Sequence, residues 1–185
     1  DDTADLVFSS ADSRVSIAGD IATFTPADDV FGETSFDFTV TDLGGLPHSA
    51  TITVTVNPIN DDPVAIDSSL GTDEDVPGAA TVSATDIEDD TLTYSLAASA
   101  DFGTATVASN GDVTYTPDLD FFGTDSFTFT VDDGNGGSDI GTVSVTVNAV
   151  NDAPVASAGS MSTDEDTPGS VTLVATDVED DTADL

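Results

Sequence analysis

Apolar and polar residues alternate along this chain with a period of two. Phe127, Phe129 and Val131 alternate with Thr128, Thr130 and Asp132, and Val143, Val145 and Val147 alternate with Ser144, Thr146 and Asn148. Leu92, Tyr94 and Leu96 alternate with threonines and a serine. Such alternation turns one face of a strand to a core and the other to water. Thr, Val and Phe suit that pleated surface. No stretch carries the 3.6-residue stripe of a helix. Over residues 60–150 the pattern predicts seven strands, near 64–69, 79–85, 91–97, 103–108, 112–116, 125–132 and 139–148. Asn110-Gly111 predicts a two-residue hairpin between the fourth and fifth. "DDGNGG" at 132–137 reads as the loop between the last two. Seven short strands at this spacing indicate an all-β fold, a seven-stranded sandwich of immunoglobulin type.

The pattern then repeats. "NPINDDPVA" (57–65) returns as "NAVNDAPVA" (148–156), and "TDEDVPGAATVSATDIEDDT" (72–91) returns at 163–182. "TPADDVFGETSFDFTV" (25–40) returns at 116–131, and all three recur at a shift of 91 residues. Asp1 and Asp2 map onto Asp89 and Asp90 at a shift of 88, and "DDTADL" both opens and closes the chain. A fixed period of this size marks tandem modules. Residues 1–59 read as the C-terminal five strands of one module, 60–150 as a complete module, and 151–185 as the N-terminal two strands of a further one. The expected partners are therefore adjacent copies of the chain itself, with the last strands of one copy completing the sandwich begun by the next. The copies are joined in a covalent array or by strand complementation between chains; tandem duplication accounts directly for the identical ends.

Composition narrows the function. There are 37 acids against one Arg and no Lys, a formal net charge of −36. Nothing can neutralise phosphates, which excludes nucleic acid and an anionic membrane surface as partners. An apolar content of 38% is too high for a disordered acidic tail. No apolar run is long enough to span a membrane, and no signal peptide is present, so an export signal is expected outside these residues. Cysteine is absent, so disulfides do not brace the modules. The acids repel one another, and counter-cations are expected in the folded state. Catalysis has little to work with. His48, the only histidine, sits in an "LPHS" stretch read as an exposed loop, and the second module has no counterpart. A Ser-His-Asp triad would need it, and a zinc site lacks nitrogen and sulfur ligands. The count of carboxylates leaves a glycoside-hydrolysing pair open, but there is no Trp, Tyr94 and Tyr115 occupy inward positions, and the phenylalanines mostly read as core, so little is left to stack on a sugar. Arg14 and Met161 belong to no motif. The chain is not expected to be an enzyme.

The acids are clustered. Asp73, Glu74, Asp75, Asp86, Glu88, Asp89 and Asp90 fall within residues 73–90 and recur within 164–181. Asp29, Asp42, Asp120 and Asp133 sit at strand ends, and Asp61, Asp62 and Asp152 follow Asn60 or Asn151. Loops at the poles of a sandwich converge. Calcium takes six to eight oxygen ligands in flexible geometry, and carboxylates packed without Lys or Arg repel unless a hard cation sits among them. The competing reading is a solvated acidic surface, as in salt-adapted proteins; recurrence at fixed motif positions favours calcium. "GNGGSDIGT" (134–142) is similar to a single calcium nonapeptide and reads as a glycine-rich turn.

These motifs carry a resemblance. "NDDP" and "NDAP" resemble the cadherin linker, "ATDIEDD" the cadherin Ala-x-Asp-x-Asp motif with Glu88 and Glu179 in place of its second Asp, and "TDEDVP" its early Glu followed by Pro. With "FFGTDSFTFTVDDGNGG" and "VTVN", the whole chain resembles the cadherin-like tandem modules of large bacterial surface proteins and RTX-type adhesins. That resemblance implies calcium at the inter-module junctions. The first would draw on Asp29, Asn60, Asp61, the Asp62 carbonyl, Asp86, Glu88 and Asp133. The second would draw on Glu74, Asp120, Asn151, Asp152, Asp177 and Glu179. Glu165 and Asp42 would join sites spanning the boundary between copies. The chain departs from the family at Phe31 and Phe122, where an acid is expected, and at Pro58 and Ala149, which implies fewer ions per junction. The function implied is a calcium-stiffened repeat of an extracellular bacterial adhesin, surface fibre or filament, extended by head-to-tail modules. The alternatives are a calcium-dependent carbohydrate- or protein-binding module and a spacer in a giant secreted enzyme. Cell-surface or polysaccharide ligands would be met elsewhere in the full protein.

Overall fold

The computed structural model describes residues 6–179, which leaves the first five letters of the opening "DDTADL" and the closing copy at 180–185 outside the described residues. Among the described residues every regular element is a strand. The chain divides into two compact units, Asp1–Asp61 and Asp62–Leu185.

In the second unit the alternation reads out as β6 (Val64–Ile66), β7 (Ser68–Asp73), β8 (Gly78–Thr81), β9 (Ser83–Thr85), β10 (Thr93–Ala98), β11 (Gly103–Val107), β12 (Asp112–Pro117), β13 (Gly123–Asp132) and β14 (Ser138–Asn148). One sheet runs β10-β13-β14-β7, with β7 parallel to β14, and the other runs β11-β12-β8. Their inward residues form one core in which Tyr115, Phe127, Phe129, Val143 and Val145 are at most 1% exposed, with Leu70 and Val82 beside them. This is an all-β sandwich of immunoglobulin type.

Two of the seven expected strands are each split. The first breaks at Asp67, whose Oδ1 accepts the Thr142 N–H at 2.7 Å, and the second breaks at Val82, whose N–H donates to Gly111 O at 2.9 Å. The breaks let each strand change partner: β6 pairs with β9, while β7 crosses to β14 and β8 to β12. The hairpin at Asn110-Gly111 is a three-residue loop rather than two. Ala108 N–H donates to Asp112 O at 2.8 Å, and only Gly111 has positive φ (+89°). A two-residue type I′ turn needs positive φ at both central residues.

The first unit holds β1 (Val7–Ser9), β2 (Val15–Ala18), β3 (Ile21–Phe24), β4 (Gly32–Thr41) and β5 (Pro47–Val56). β1-β4-β5 form one sheet and β2-β3 the other. His48 is exposed, and it lies within β5 opposite Val40 rather than in a loop. Arg14, which fits no sequence motif, has a structural role: it pairs with Asp12 at 2.6 Å and stacks over Phe24 at 5.0 Å. Among the described residues after β14, only β15 (Val155–Ala156) and β16 (Ala175–Thr176) are strands, paired in the same register as the start of β6 with the end of β9.

Candidate metal centre

Three groups of carboxylates converge in the second unit. They are Glu74 with Asp152 and Glu179, Asp75 with Asp120 and Asp152, and Asp86 with Asp90 and Asp133; within each group one oxygen per residue lies within 4.8 Å of the others. The first two share Asp152, so five carboxylates gather at one end of the second unit's sandwich.

Each arrives there for a local reason. Glu74 continues β7: its N–H donates to Asn148 O at 2.9 Å, and its Oε1 accepts the Val150 N–H. Pairing with β14 therefore buries it, to 3% exposure. Asp75 takes left-handed backbone (φ 60°) in the following turn, and Asp120 does the same (φ 56°) between β12 and β13. A carboxylate side chain tolerates this region better than most residues. Asp120 N–H donates to Asp75 Oδ1 at 3.2 Å, which joins the two turns. Asp152 comes from the linker, where Asn151 Nδ2 donates to Asp152 O at 2.7 Å. Glu179 follows β16 and accepts the Asp152 N–H at Oε2, 3.1 Å away.

Glu74 Oε2, Asp152 Oδ2 and Glu179 Oε1 are buried and have no hydrogen-bond partner. They belong to one group of three. A buried ionised oxygen without a partner is strongly unfavourable. The amide of Asp152 favours the Glu179 carboxylate, but burial and the neighbouring Asp152 and Asp177 acids outweigh it and hold its pKa above the ordinary glutamate range. No cation from the protein relieves the group, since the one ion pair among the described residues is Arg14–Asp12. The donor set is oxygen only, several-fold negative and carried on flexible side chains. That fits calcium and does not fit zinc or copper.

The third group sits at the opposite pole. Asp86 Oδ1 accepts the Glu88 and Asp90 N–H groups at 3.1 and 3.0 Å, while Asp86 Oδ2 is buried without a partner. Asp133 is 4% exposed, and its Oδ1 accepts the N–H groups of Asn135, Gly136 and Gly137 at 2.7–3.0 Å. A Cβ on Gly137 would collide with Asp133 and Asp62, so glycine is required where these acids approach.

Of the residues expected at the second junction, the structure groups Glu74, Asp120, Asp152 and Glu179. Asn151 and Asp177 act through hydrogen bonds to their neighbours, Asp177 Oδ1 accepting the Glu179 N–H at 3.3 Å. Of the first set, Asp86 and Asp133 meet in the second unit, with Glu88 and Asp62 beside them. Asp29, Asn60 and Asp61 belong to the first unit; there Asp29 is left-handed (φ 57°), as is its counterpart Asp120, and Asn60 Nδ2 donates to Asp61 O at 3.3 Å. Asp42 ties its own turn by accepting the Leu46 N–H at 2.8 Å, and Glu165 is exposed. Asp75 and Asp90 are the ligand candidates that sequence reasoning missed. Both lie in the acidic runs, but only the folded turns bring Asp75 to Asp120 and Asp90 to Asp133.

A family model described as a bacterial Ig domain matches residues 1–55 and again residues 60–146. The chain belongs to the bacterial Ig domain family. No curated protein matches it. Among solved structures, this bacterial Ig chain is similar to a protocadherin gammaB7 EC3-6 cis-dimer, with TM-score 0.67, 19% identity and 94% of this chain covered. It spans about half of that protein's length, 52%. It is similar to human CDH23 EC21-23, with TM-score 0.66, 18% identity, 95% of this chain and 69% of that one. It is also similar to mouse cadherin-23 EC22-24, with TM-score 0.63, 20% identity, 98% of this chain and 68% of that one. At these identities the likeness concerns the fold: these bacterial Ig modules are cadherin-like sandwiches.

Proposed function

We propose that these bacterial Ig modules form a calcium-stiffened structural repeat of an extracellular adhesin or surface fibre, extended head to tail into a rod. The observation that carries this reading is the convergence of three buried, unpartnered carboxylate oxygens on Glu74, Asp152 and Glu179. Glu74, Asp75 and Asp120 come from the body of the complete module, Asp152 from the linker and Glu179 from the start of the next module. A divalent cation held by Glu74, Asp152 and Glu179, with Asp75 and Asp120 joined to it through the shared Asp152, supplies the positive charge that this end of the unit lacks. The protein's part is to hold the linker oxygen beside module oxygens, so that linker and module turn as one piece. The bacterial Ig family and the cadherin-like fold support a structural rather than an enzymatic role.

An extracellular calcium site of about 10⁻⁴–10⁻³ M affinity suffices where calcium is plentiful. At a hundredfold excess over its dissociation constant it adds about 2.7 kcal/mol to the folded state. A chelator should then lower the melting temperature by about 5–10 °C and shorten the particle in small-angle scattering. Glu74→Gln separates the metal site from a merely charged surface. In calcium the variant should melt lower than wild type; in chelator it should melt at or above wild type, because a buried charge without a partner has been removed. An unchanged melting point in calcium would sink the reading.

A further inference from the structure

We propose that Asn135 is a site of spontaneous deamidation, and that the carboxylate formed there severs the tie between the β13–β14 loop and the turn at Asp86–Asp90. The chemistry needs water and no bound cation, so it stands apart from the calcium reading.

The chain has no glutamine, and among its asparagines only Asn110 and Asn135 precede glycine. In that pairing the glycine backbone nitrogen can attack the asparagine Cγ, and no side chain hinders closure of the five-membered ring. As the new N–Cγ bond forms, the Cγ–Nδ2 bond breaks, and the proton of the attacking amide leaves with Nδ2 as ammonia. Water then opens the cyclic imide at either carbonyl. One product is aspartate. The other is isoaspartate, in which the main chain runs through the former side chain. Water in and ammonia out balance the change, and nothing is oxidised or reduced.

The fold treats the two sites differently. Asn110-Gly111 lies in the hairpin between β11 and β12. Gly111 N–H donates to Ala108 O, and Gly111 O accepts the Val82 N–H, both at 2.9 Å. The Asn110 amide is held at both ends: Nδ2 donates to Asp112 Oδ2 at 2.7 Å, and Oδ1 accepts the Asp112 N–H at 3.2 Å. Ring closure there would break bonds that hold strands together. Asn135-Gly136 lies in the exposed loop between β13 and β14. Its attacking nitrogen is held by a side chain rather than a strand, since Gly136 N–H donates to Asp133 Oδ1 at 3.0 Å. Gly134 and Gly136 have φ of +78° and +113°, and a Cβ on either would meet nothing within 4 Å among the described residues. The main chain on both sides of Asn135 thus has the freedom and the room to turn into the ring.

Conversion matters because of what Asn135 holds. Its Nδ2 donates to Asp90 Oδ2 at 2.7 Å, across 45 residues of sequence. Asp90 belongs to the turn whose N–H groups Asp86 gathers, and Asn135 to the loop whose N–H groups Asp133 gathers. One amide group is therefore a clasp between two acid-bearing turns. A carboxylate in its place has no proton to donate, and it faces Asp90 with like charge at hydrogen-bond distance. Attraction becomes repulsion, and the loss of ammonia makes the change one-way.

The test ages the 185-residue chain in chelator at mildly alkaline pH and follows it by peptide mass spectrometry. Asn135 should gain aspartate and isoaspartate at least about tenfold faster than Asn110, the ratio that a barrier difference of one hydrogen bond gives. In urea the two sites should react at similar rates, because only folded contacts separate them. A folded chain in which Asn110 keeps pace with Asn135 would overturn the proposal. Amide exchange reads the consequence. In Asn135→Asp, residues 86–90 and 133–137 should exchange faster than in wild type, and faster than in Asn135→Ser, which loses the donor without gaining a charge. Exchange in Asn135→Asp no faster than in Asn135→Ser would overturn the clasp.

Discussion

Tyr115 and Asp125 show how the two copies solve one packing problem differently. The buried Tyr115 hydroxyl donates to Asp125 Oδ2 at 2.8 Å, and the same carboxylate accepts the N–H groups of Phe102, Asp101 and Ser126 at 2.9, 3.2 and 2.7 Å. In the first copy the pair is Phe24 and Thr34: the hydroxyl and its acceptor vanish together, and Arg14 Nη1 donates to Thr34 Oγ1 at 3.2 Å. The double variant Tyr115→Phe/Asp125→Thr should therefore be less destabilised than the sum of its singles by about 1 kcal/mol in urea unfolding. Burial alone would raise the Asp125 pKa, but the four donors outweigh it and lower it. A depressed carboxylate pKa contributes stability above the unfolded value, and that contribution is lost as pH falls through the folded value. Wild type should lose stability on acidification below about pH 4 more steeply than Asp125→Asn, measured in chelator so that metal does not contribute. At the opposite pole, the calcium reading extended to the Asp86, Asp90 and Asp133 group expects Asp86→Asn to weaken calcium binding, whereas Asp112→Asn, outside every carboxylate group among the described residues, should leave a calcium titration unchanged; equal effects would refute that extension.

At the scale of elements, the turns hold what the alternating pattern leaves open. Gly111 combines positive φ with a backbone approach: a Cβ there would lie 2.8 Å from Val82 O. Gly134 has positive φ (+78°) and open space around it. Gly134→Ala should cost about 1 kcal/mol, the left-handed penalty alone. Gly111→Ala should cost clearly more, since it also pushes on the break between β8 and β9. Equal losses in denaturant melts would show that the close approach is unimportant. A strand also needs its neighbour. Residues 66–83 form β7, β8 and their flanks against β14 and β12, while the matching residues 157–174 contain no strand. Their sequences are close, and their pairing partners differ.

For the whole molecule the dominant quantity is charge. With −36 in 185 residues, self-repulsion opposes the folded state. Monovalent salt screens exposed charges over a Debye length of about 10 Å at 0.1 M and reaches buried groups far less. In chelator, sodium chloride should raise the melting temperature by relieving the surface acids. It should not restore the value seen in calcium, because Glu74 is 3% exposed. If salt alone restored it fully, the acids would be acting as a solvated surface and the buried group would hold no cation.

The alternation of Phe127, Phe129 and Val131 with polar residues was enough to place β13, its inward face and the sandwich fold, because a half-buried strand writes its geometry in a period of two. The repeat likewise made the five strands before Asn60 legible. The acids were legible as runs, since each arises from local turn and linker sequence. Their grouping was legible only in part: the resemblance set Glu74, Asp120, Asp152 and Glu179 at one junction but left out Asp75 and Asp90. Asp75 reaches Asp120 only because two left-handed turns, 45 residues apart in sequence, meet at one pole. Glu74 is buried while its counterpart Glu165 is exposed, although both follow the same "TD". A periodic pattern states which side of a strand faces inward. Whether anything lies against that side is decided by long-range pairing, and in this chain that pairing alone separates a buried carboxylate from an exposed one and Leu70 from Met161.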